Sequence, residues 1–238
     1  MRAFRGPASR LFTVISIMAI GCAGPSSPMG NYLAGFQPVS GQAQISLPLV
    51  IDIVIALPEE ELPKPTTPSM DMLEKIGQRI EKQLQESPNI KVRRVFPPII
   101  IPAGGVGALS VERVRESVKE PALSKVVVAV ATSRPARRAY FSRIEDQLFA
   151  RMDAALLELT TSQVLASESG QDDYVLAQSY FYTGFSFPRL YYRTFTFAGP
   201  FTVVEGNPYK ALGEMAFSGA ADQLGMKLRR LMDPSPIG

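Results

Sequence analysis

Apolar and polar positions along the chain fall into runs of period two and runs of period near 3.6. At 49–57, Leu49, Ile51, Ile53, Ile55 and Leu57 alternate with Val50, Asp52, Val54 and Ala56. Both faces are largely apolar, which predicts a central strand. Glu59, Glu60 and Glu61 with Pro63, Pro65 and Pro68 then predict a loop. Leu73, Ile76, Ile80 and Leu84 recur at spacings of three and four, with Thr67 or Ser69 as cap, and predict a helix to about Ser87. Ser87-Pro88-Asn89 stops it, because the residue before a proline is driven out of helical geometry. A second strand is predicted at 90–96 and a short apolar piece at 99–102. Ser110 caps a second helix with Val111, Val114 and Val118 inward, and 123–131 reads as a third strand buried on both faces. Two strand–helix–strand units in succession imply a partly parallel α/β sheet.

The segment 142–168 supports two readings. Ser142-x-x-Glu145 matches a capping box, and Ile144, Leu148, Met152, Ala155, Leu156 and Leu159 make a helical stripe. The same residues also read as a hairpin, with Thr160-Thr161-Ser162-Gln163 as a polar turn between apolar arms. From Tyr174 to Glu205 the chain is aromatic and β-prone, with a turn expected at 184–189. Asn207 then caps, and Pro208 starts, a final helix to about Met232. Its inner stripe is Leu212, Met215, Ala216, Gly219, Ala220, Leu224, Leu228 and Leu231. Gly213, Gly219 and Gly225 lower its helix propensity by ~1 kcal/mol each relative to alanine, and close approach to the sheet is the expected compensation.

The N-terminus follows another logic. Arg2, Arg5 and Arg10 precede an apolar run of eleven residues, 11–21. A bilayer span needs ~20 residues, so the run reads as the core of a secretory leader. It ends in Ala19-Ile20-Gly21-Cys22, which resembles the bacterial lipobox. That resemblance implies removal of residues 1–21 and acylation of Cys22, the only cysteine in the chain. Two or more acyl chains hold a protein on a membrane stably. Ala23 after the cysteine, in place of aspartate, points to the outer membrane. Residues 23–44 are uncharged and rich in Gly, Pro, Ser and Gln, and predict a flexible tether, with Tyr32 and Phe36 free in solvent or packed back on the domain. The domain itself is expected at 45–233, followed by a tail at 234–238.

Composition narrows the chemistry. The chain of 238 residues has no histidine, which excludes Ser-His-Asp and Cys-His machinery and imidazole metal sites. Outside the leader there are 22 basic and 22 acidic side chains, a net of zero. Sequence-independent nucleic-acid binding rests on phosphate neutralisation, so no nucleic-acid partner is expected. No cofactor and no metal are expected either.

The order of elements resembles that of bacterial envelope lipoproteins with a domain like the N-terminal domain of TolB. That group includes the curli-secretion lipoprotein, lipoprotein activators of penicillin-binding proteins and the rhombotail lipoprotein family. The likeness rests on Ile101-Pro102 followed by Gly104-Gly105 and a helix, on the strand 125–132, and on 152–166 as strand–turn–strand. It implies an α/β domain with a mixed sheet of about five to six strands and three helices, and it favours the hairpin for 152–168.

Few residues offer chemistry. Gly104-Gly105-Val106-Gly107 before a helix is either an anion cradle or a plain turn. Asp172-Asp173 and Glu145-Asp146 are adjacent carboxylates, expected in a solvated loop and at a helix start. A glycosidase-type pair needs carboxyls ~5–10 Å apart across a cleft, and a calcium site near Asp172 lacks ligand spacing. Arg134, Arg137 and Arg138, near Arg143, form the one basic run after the leader and read as a loop at the end of a strand. That run meets anionic headgroups or an acidic partner, or is a solvated loop balanced by Glu145 and Asp146. Ten of the chain's 21 aromatics lie between 180 and 201, among them Tyr180, Tyr182, Phe185, Phe187 and Tyr191. They are sheet core, a partner surface, or a membrane-inserted hairpin.

These features predict a non-enzymatic binding or assembly module, anchored to the membrane by its lipidated N-terminus, with its domain in the periplasm and an envelope protein as partner. Homo-oligomerisation in an outer-membrane export or pore assembly is the first alternative. A carboxylate-dependent hydrolase is the second.

Overall fold

The computed structural model describes residues 27–39, 45–118, 124–139, 143–180, 186–191, 202–203 and 207–234. In chain order the strands and helices are β1 (Leu33–Ala34), β2 (Gln37–Pro38), β3 (Leu49–Pro58), α1 (Met70–Gln85), β4 (Ile90–Val95), β5 (Ile99–Ile101), β6 (Leu109–Ser110), α2 (Val111–Val118), β7 (Lys125–Ala139), β8 (Arg143–Glu158), β9 (Gln163–Tyr180), β10 (Ser186–Tyr191), β11 (Thr202–Val203) and α3 (Pro208–Met232). The main sheet runs in the order β11-β10-β9-β8-β7-β3-β4. Strand β3 is parallel to β4, β5 and β7, whereas β7 to β11 are antiparallel to their sequence neighbours. The class is α/β with a mixed sheet and three helices, as the residue pattern predicts.

Alternation sends the two halves of each central strand into two cores. Ile51, Ile53, Ile55, Val127, Ala129, Leu148, Ala150, Met152 and Ala154 face α1 and α3. Val54, Ala56, Val126, Val128, Val130, Ala155 and Leu157 face α2 and the chain before β3. Helix α1 starts where Ser69 Oγ accepts from Met72 N at 3.3 Å, and it buries Leu73, Ile76, Ile80 and Leu84 as predicted. At the end of α3, Asp233 accepts from Ser87 Oγ at 2.5 Å and Asn89 Nδ2 at 3.0 Å. The turn that stops α1 therefore also fastens α3.

Helix α3 buries two neighbouring stripes, Leu212-Ala216-Ala220-Leu224-Leu228-Met232 and Gly213-Phe217-Ala221-Gly225. Leu231, expected inward, is 44% exposed, and Met232 takes the inner position. The spacing of four from Leu228 leads to Met232, and a spacing of three to Leu231 leaves the stripe. The small residues of α3 do bring it close to its neighbours. A Cβ on Gly170 of β9 would overlap the backbone of Ala220 and Leu224, and one on Gly219 would overlap Asp172. Gly225 lies against Gln83 of α1 rather than the sheet, and Gly213 against the backbone of Thr66.

Residues 143–158 and 163–168 are strands, and Ser142 of the capping-box match lies outside the described residues. Strands β8 and β9 form a hairpin, far longer than its sequence signal, with arms of 16 and 18 residues. Ile144, Leu148, Met152 and Leu156 are spaced by four, which satisfies a helix and a strand alike. Strand β7 is longer than the predicted 123–131 and carries Arg134, Arg137 and Arg138 within it, not in a loop. Pro135 is tolerated there because the pairing of β7 with β3 ends at Val130, so beyond that point no described strand pairs with that side of β7.

Residues 27–39 depart from the predicted solvated tether. Met29 is fully buried, and Tyr32, Leu33 and Phe36 pack against the α2 core. Strand β1 pairs with β6 and β2 with β9, both in parallel.

Candidate functional site

Strands β7, β8 and β9 outrun their cover on one face. Among the described residues, α2 and 27–39 reach as far as the row Val130–Asp153–Ser169. Beyond it the rows Thr132–Arg151–Gln171 and Arg134–Phe149–Asp173 stand side by side across the three strands. A cleft of about 720 Å³ is lined by Thr132, Arg134, Phe149, Arg151, Gln171 and Asp173 of these rows, together with Ser133, Ala150 and Asp172 of the other pleat and Gln223 of α3.

The charges in this face are layered. The Arg134 guanidinium lies over the Phe149 ring, 5.1 Å from its centroid, in a cation–π contact. Arg151 reaches two residues along its strand and donates to both oxygens of Asp153 at 2.8 and 3.0 Å. Asp153 also accepts from Ser169 Oγ at 2.6 Å. Asp173 is buried and accepts from Gln147 Nε2 at 2.5 Å. Acids therefore lie beneath and arginines above: Arg134, Arg138 and Arg151 are exposed, while Asp153 and Asp173 are buried. Tyr32 borders this cluster from the N-terminal segment. Burial, and then the charge of Asp153, holds its phenol above the ordinary pKa of 10.0 and keeps it neutral.

The predicted basic run is divided by the pleat of β7. Arg134 and Arg138 belong to the open face. Arg137 points the other way and donates to Asp146 at 2.6 Å, and Tyr209 Oη of α3 donates to the same carboxylate at 2.9 Å. The hydrogen bond to Asp146 raises the Arg137 pKa further.

Both adjacent carboxylate pairs are divided in the same way, and neither lies in a loop or at a helix start. Asp172 faces Gly219 of α3, whereas Asp173 belongs to the open face. Asp146 takes Arg137, whereas Glu145 is on the opposite face, in register with Arg138. The two buried acids of the open face, Asp153 and Asp173, are separated by four residue steps of β8, about 14 Å at ~3.4 Å per residue. That exceeds the separation a carboxylate pair uses in glycoside hydrolysis. Among the described residues no three His, Cys, Asp or Glu side chains come together to hold a metal ion.

The glycine loop is a turn and not an anion cradle. Gly104, Gly105 and Gly107 have φ of 76°, 60° and 63°. Their amides donate to Glu60 Oε2 at 2.9 Å, Pro102 O at 3.1 Å and Asn31 O at 2.9 Å, so protein oxygens already occupy them.

Of the aromatic candidates, the backbones of Tyr180, Phe187 and Tyr191 lie in β9 and β10, with Phe187 opposite Ser179 and Tyr191 opposite Val175. Tyr182, Phe185 and Cys22 lie outside the described residues. Phe149, Arg151, Asp153 and Gln171 belong to the site without a chemical signal of their own in the sequence, and Tyr32, open between solvent and the domain there, borders it packed back on the domain. For Arg151 and Asp153 the signal was the alternation of polar Glu145, Gln147, Arg151 and Asp153 with apolar Leu148, Ala150 and Met152, which Phe149 interrupts.

No protein-family model and no curated protein matches the chain. Solved structures do. The PelC dodecamer from Paraburkholderia phytofirmans is 11% identical, with 79% of this chain and 94% of that one covered at a TM-score of 0.36. A neuraminyllactose-binding hemagglutinin homolog from Helicobacter pylori is 8% identical, with 84% and 94% covered at 0.37. Lipoprotein GNA1162 from Neisseria meningitidis is 12% identical, with 53% and 83% covered at 0.28. At these values the likenesses bear on neither activity nor partner. No described helix is long and apolar enough to cross a membrane.

Proposed function

We propose that this chain is a lipid-anchored lipoprotein of the bacterial cell envelope, held in the outer membrane through acylated Cys22. Its TolB N-terminal-like domain acts in the periplasm as a non-enzymatic binding or assembly module. The observation that carries the reading is the arginine-topped sheet face that the domain's own helices leave open. Arg134, Arg151 and Phe149 combine cationic donors with an aromatic platform, the residue types enriched where proteins bind proteins. The partner that fits is an envelope protein presenting carboxylates.

The test has two arms. Cys22→Ser removes the acyl acceptor, and the protein leaves the membrane fraction; persistence in the membrane contradicts the anchor. Arg134→Glu with Arg151→Glu reverses the open face, and cross-links to the envelope partner made by the native protein disappear. Unchanged cross-links contradict the assignment of the face.

A further inference from the structure

We propose that one uncharged strip of the domain rests against the headgroups of the membrane that carries the anchor, so that the domain is held in a fixed orientation. The proposal rests on the reading that Cys22 is acylated, and it follows from where residues 27–39 are seated. Residues 27–39 are seated on the domain by buried Met29, by the β1–β6 and β2–β9 pairings, and by hydrogen bonds from Gln37 N to Ser162 O at 2.9 Å and from Gly107 N to Asn31 O at 2.9 Å. The leash from Cys22 is therefore five residues to Ser27, and not the 23 that would separate Cys22 from Ile45. Five residues reach at most about 18 Å even when fully extended.

The surface at the end of this leash has a distinct composition. No residue in 27–39, 102–109 or 159–164 is charged, although 20% of the chain is. The contacts of residues 27–39 join these three segments into one strip, from the glycine loop through β1 and β2 to the turn before β9. Three charged residues at its rim are turned onto the strip's own backbone or the adjoining strand. Glu60 accepts from Gly104 N at 2.9 Å, Arg115 donates to Leu159 O at 2.5 Å, and Arg113 donates to Ile100 O at 2.8 Å. Val106, at the tip of the glycine loop, is 83% exposed, the most exposed large apolar side chain among the described residues. Asn31, bonded through its carbonyl to Gly107, places that tip beside the first turn of the ordered chain. An uncharged surface with a projecting valine loses little on approaching headgroups, and the leash permits little else.

The full acylated chain in vesicles of phosphatidylethanolamine and phosphatidylglycerol tests this directly. Acylated Cys22 has no free thiol, so Val106→Cys or Asn31→Cys can be labelled alone, with Lys75→Cys on α1 as the control across the sheet. Lipids bearing a nitroxide near the headgroup are expected to quench a fluorophore at 106 or 31 several-fold more than one at 75. Inserting about twenty Gly and Ser residues between Ser26 and Ser27 gives a flexible linker and should remove most of that difference. Equal quenching at the strip and at position 75 in a vesicle-bound chain overturns the orientation and leaves the anchor standing. A chain that remains vesicle-bound as Cys22→Ser overturns the anchor, and the short-leash argument with it.

Discussion

Glu61 continues the sheet where β3 runs out. Its carboxylate accepts from Ser133 N at 3.0 Å and Ser133 Oγ at 2.6 Å, and Lys64, paired with Glu61 at 2.6 Å, donates to Ser133 O at 2.8 Å. Two side chains thus satisfy the backbone of β7 on the edge that no described strand covers. Glu61 is 3% exposed, and its removal leaves the partly buried N–H of Ser133 without this acceptor. Glu61→Ala is expected to destabilise the fold by about 2–3 kcal/mol, and Ser133→Ala, which keeps the backbone bond, by about 1 kcal/mol. Urea denaturation of the two variants checks this order.

Asp52 is fully buried in β3 and is held by Arg93 of β4 at 3.2 and 2.8 Å. Arg93→Ala should cost about 3 kcal/mol, because an uncompensated carboxylate remains inside. Asp52→Asn in the same background should recover part of that loss, and a double-mutant cycle in urea measures the coupling. Strictly additive costs would show that the pair does not act as one unit.

The Tyr32 phenol has its pKa raised in the fold, chiefly by burial. The unfolded chain therefore ionises first as pH rises. Stability from this residue is complete below the ordinary tyrosine pKa and is lost as pH climbs through the folded value. Thermal melts from pH 9 upward are expected to fall more steeply for the native protein than for Tyr32→Phe.

Phe149 supports Arg134 through its ring face. Phe149→Leu keeps apolar bulk and removes the π-face, so it should change stability by less than about 1 kcal/mol. It should also weaken partner cross-linking at the open face, though less than Arg134→Glu does. A stability loss with unaffected cross-linking would make the ring merely structural.

Much of this architecture could be read from residues alone. The apolar alternation of 49–57, the stripe Leu73-Ile76-Ile80-Leu84 and the caps Ser69, Ser110 and Asn207 each gave the right element. The β8–β9 hairpin stayed ambiguous because a spacing of four belongs to both periodicities; Ala150 and Ala154, both buried, carry the distinction. The far half of β7 reads as a loop because Pro135 and the arginines lack an apolar partner face, and that face, uncovered among the described residues, is what makes the site. Residues 27–39 looked like a leash by composition. Met29, Tyr32, Leu33 and Phe36, spaced by one to four residues, are enough to seat them. The pleat decides which of Arg134, Arg137, Asp172 and Asp173 share a face, and period-two counting reveals it only once 132–139 and 163–180 are known to be strands.

The most direct measurement is the mass of the N-terminal peptide of the chain purified from its own envelope. The account predicts that the polypeptide starts at Cys22 and carries acyl chains. A peptide retaining Met1, or starting at Cys22 with an unmodified thiol, would contradict it.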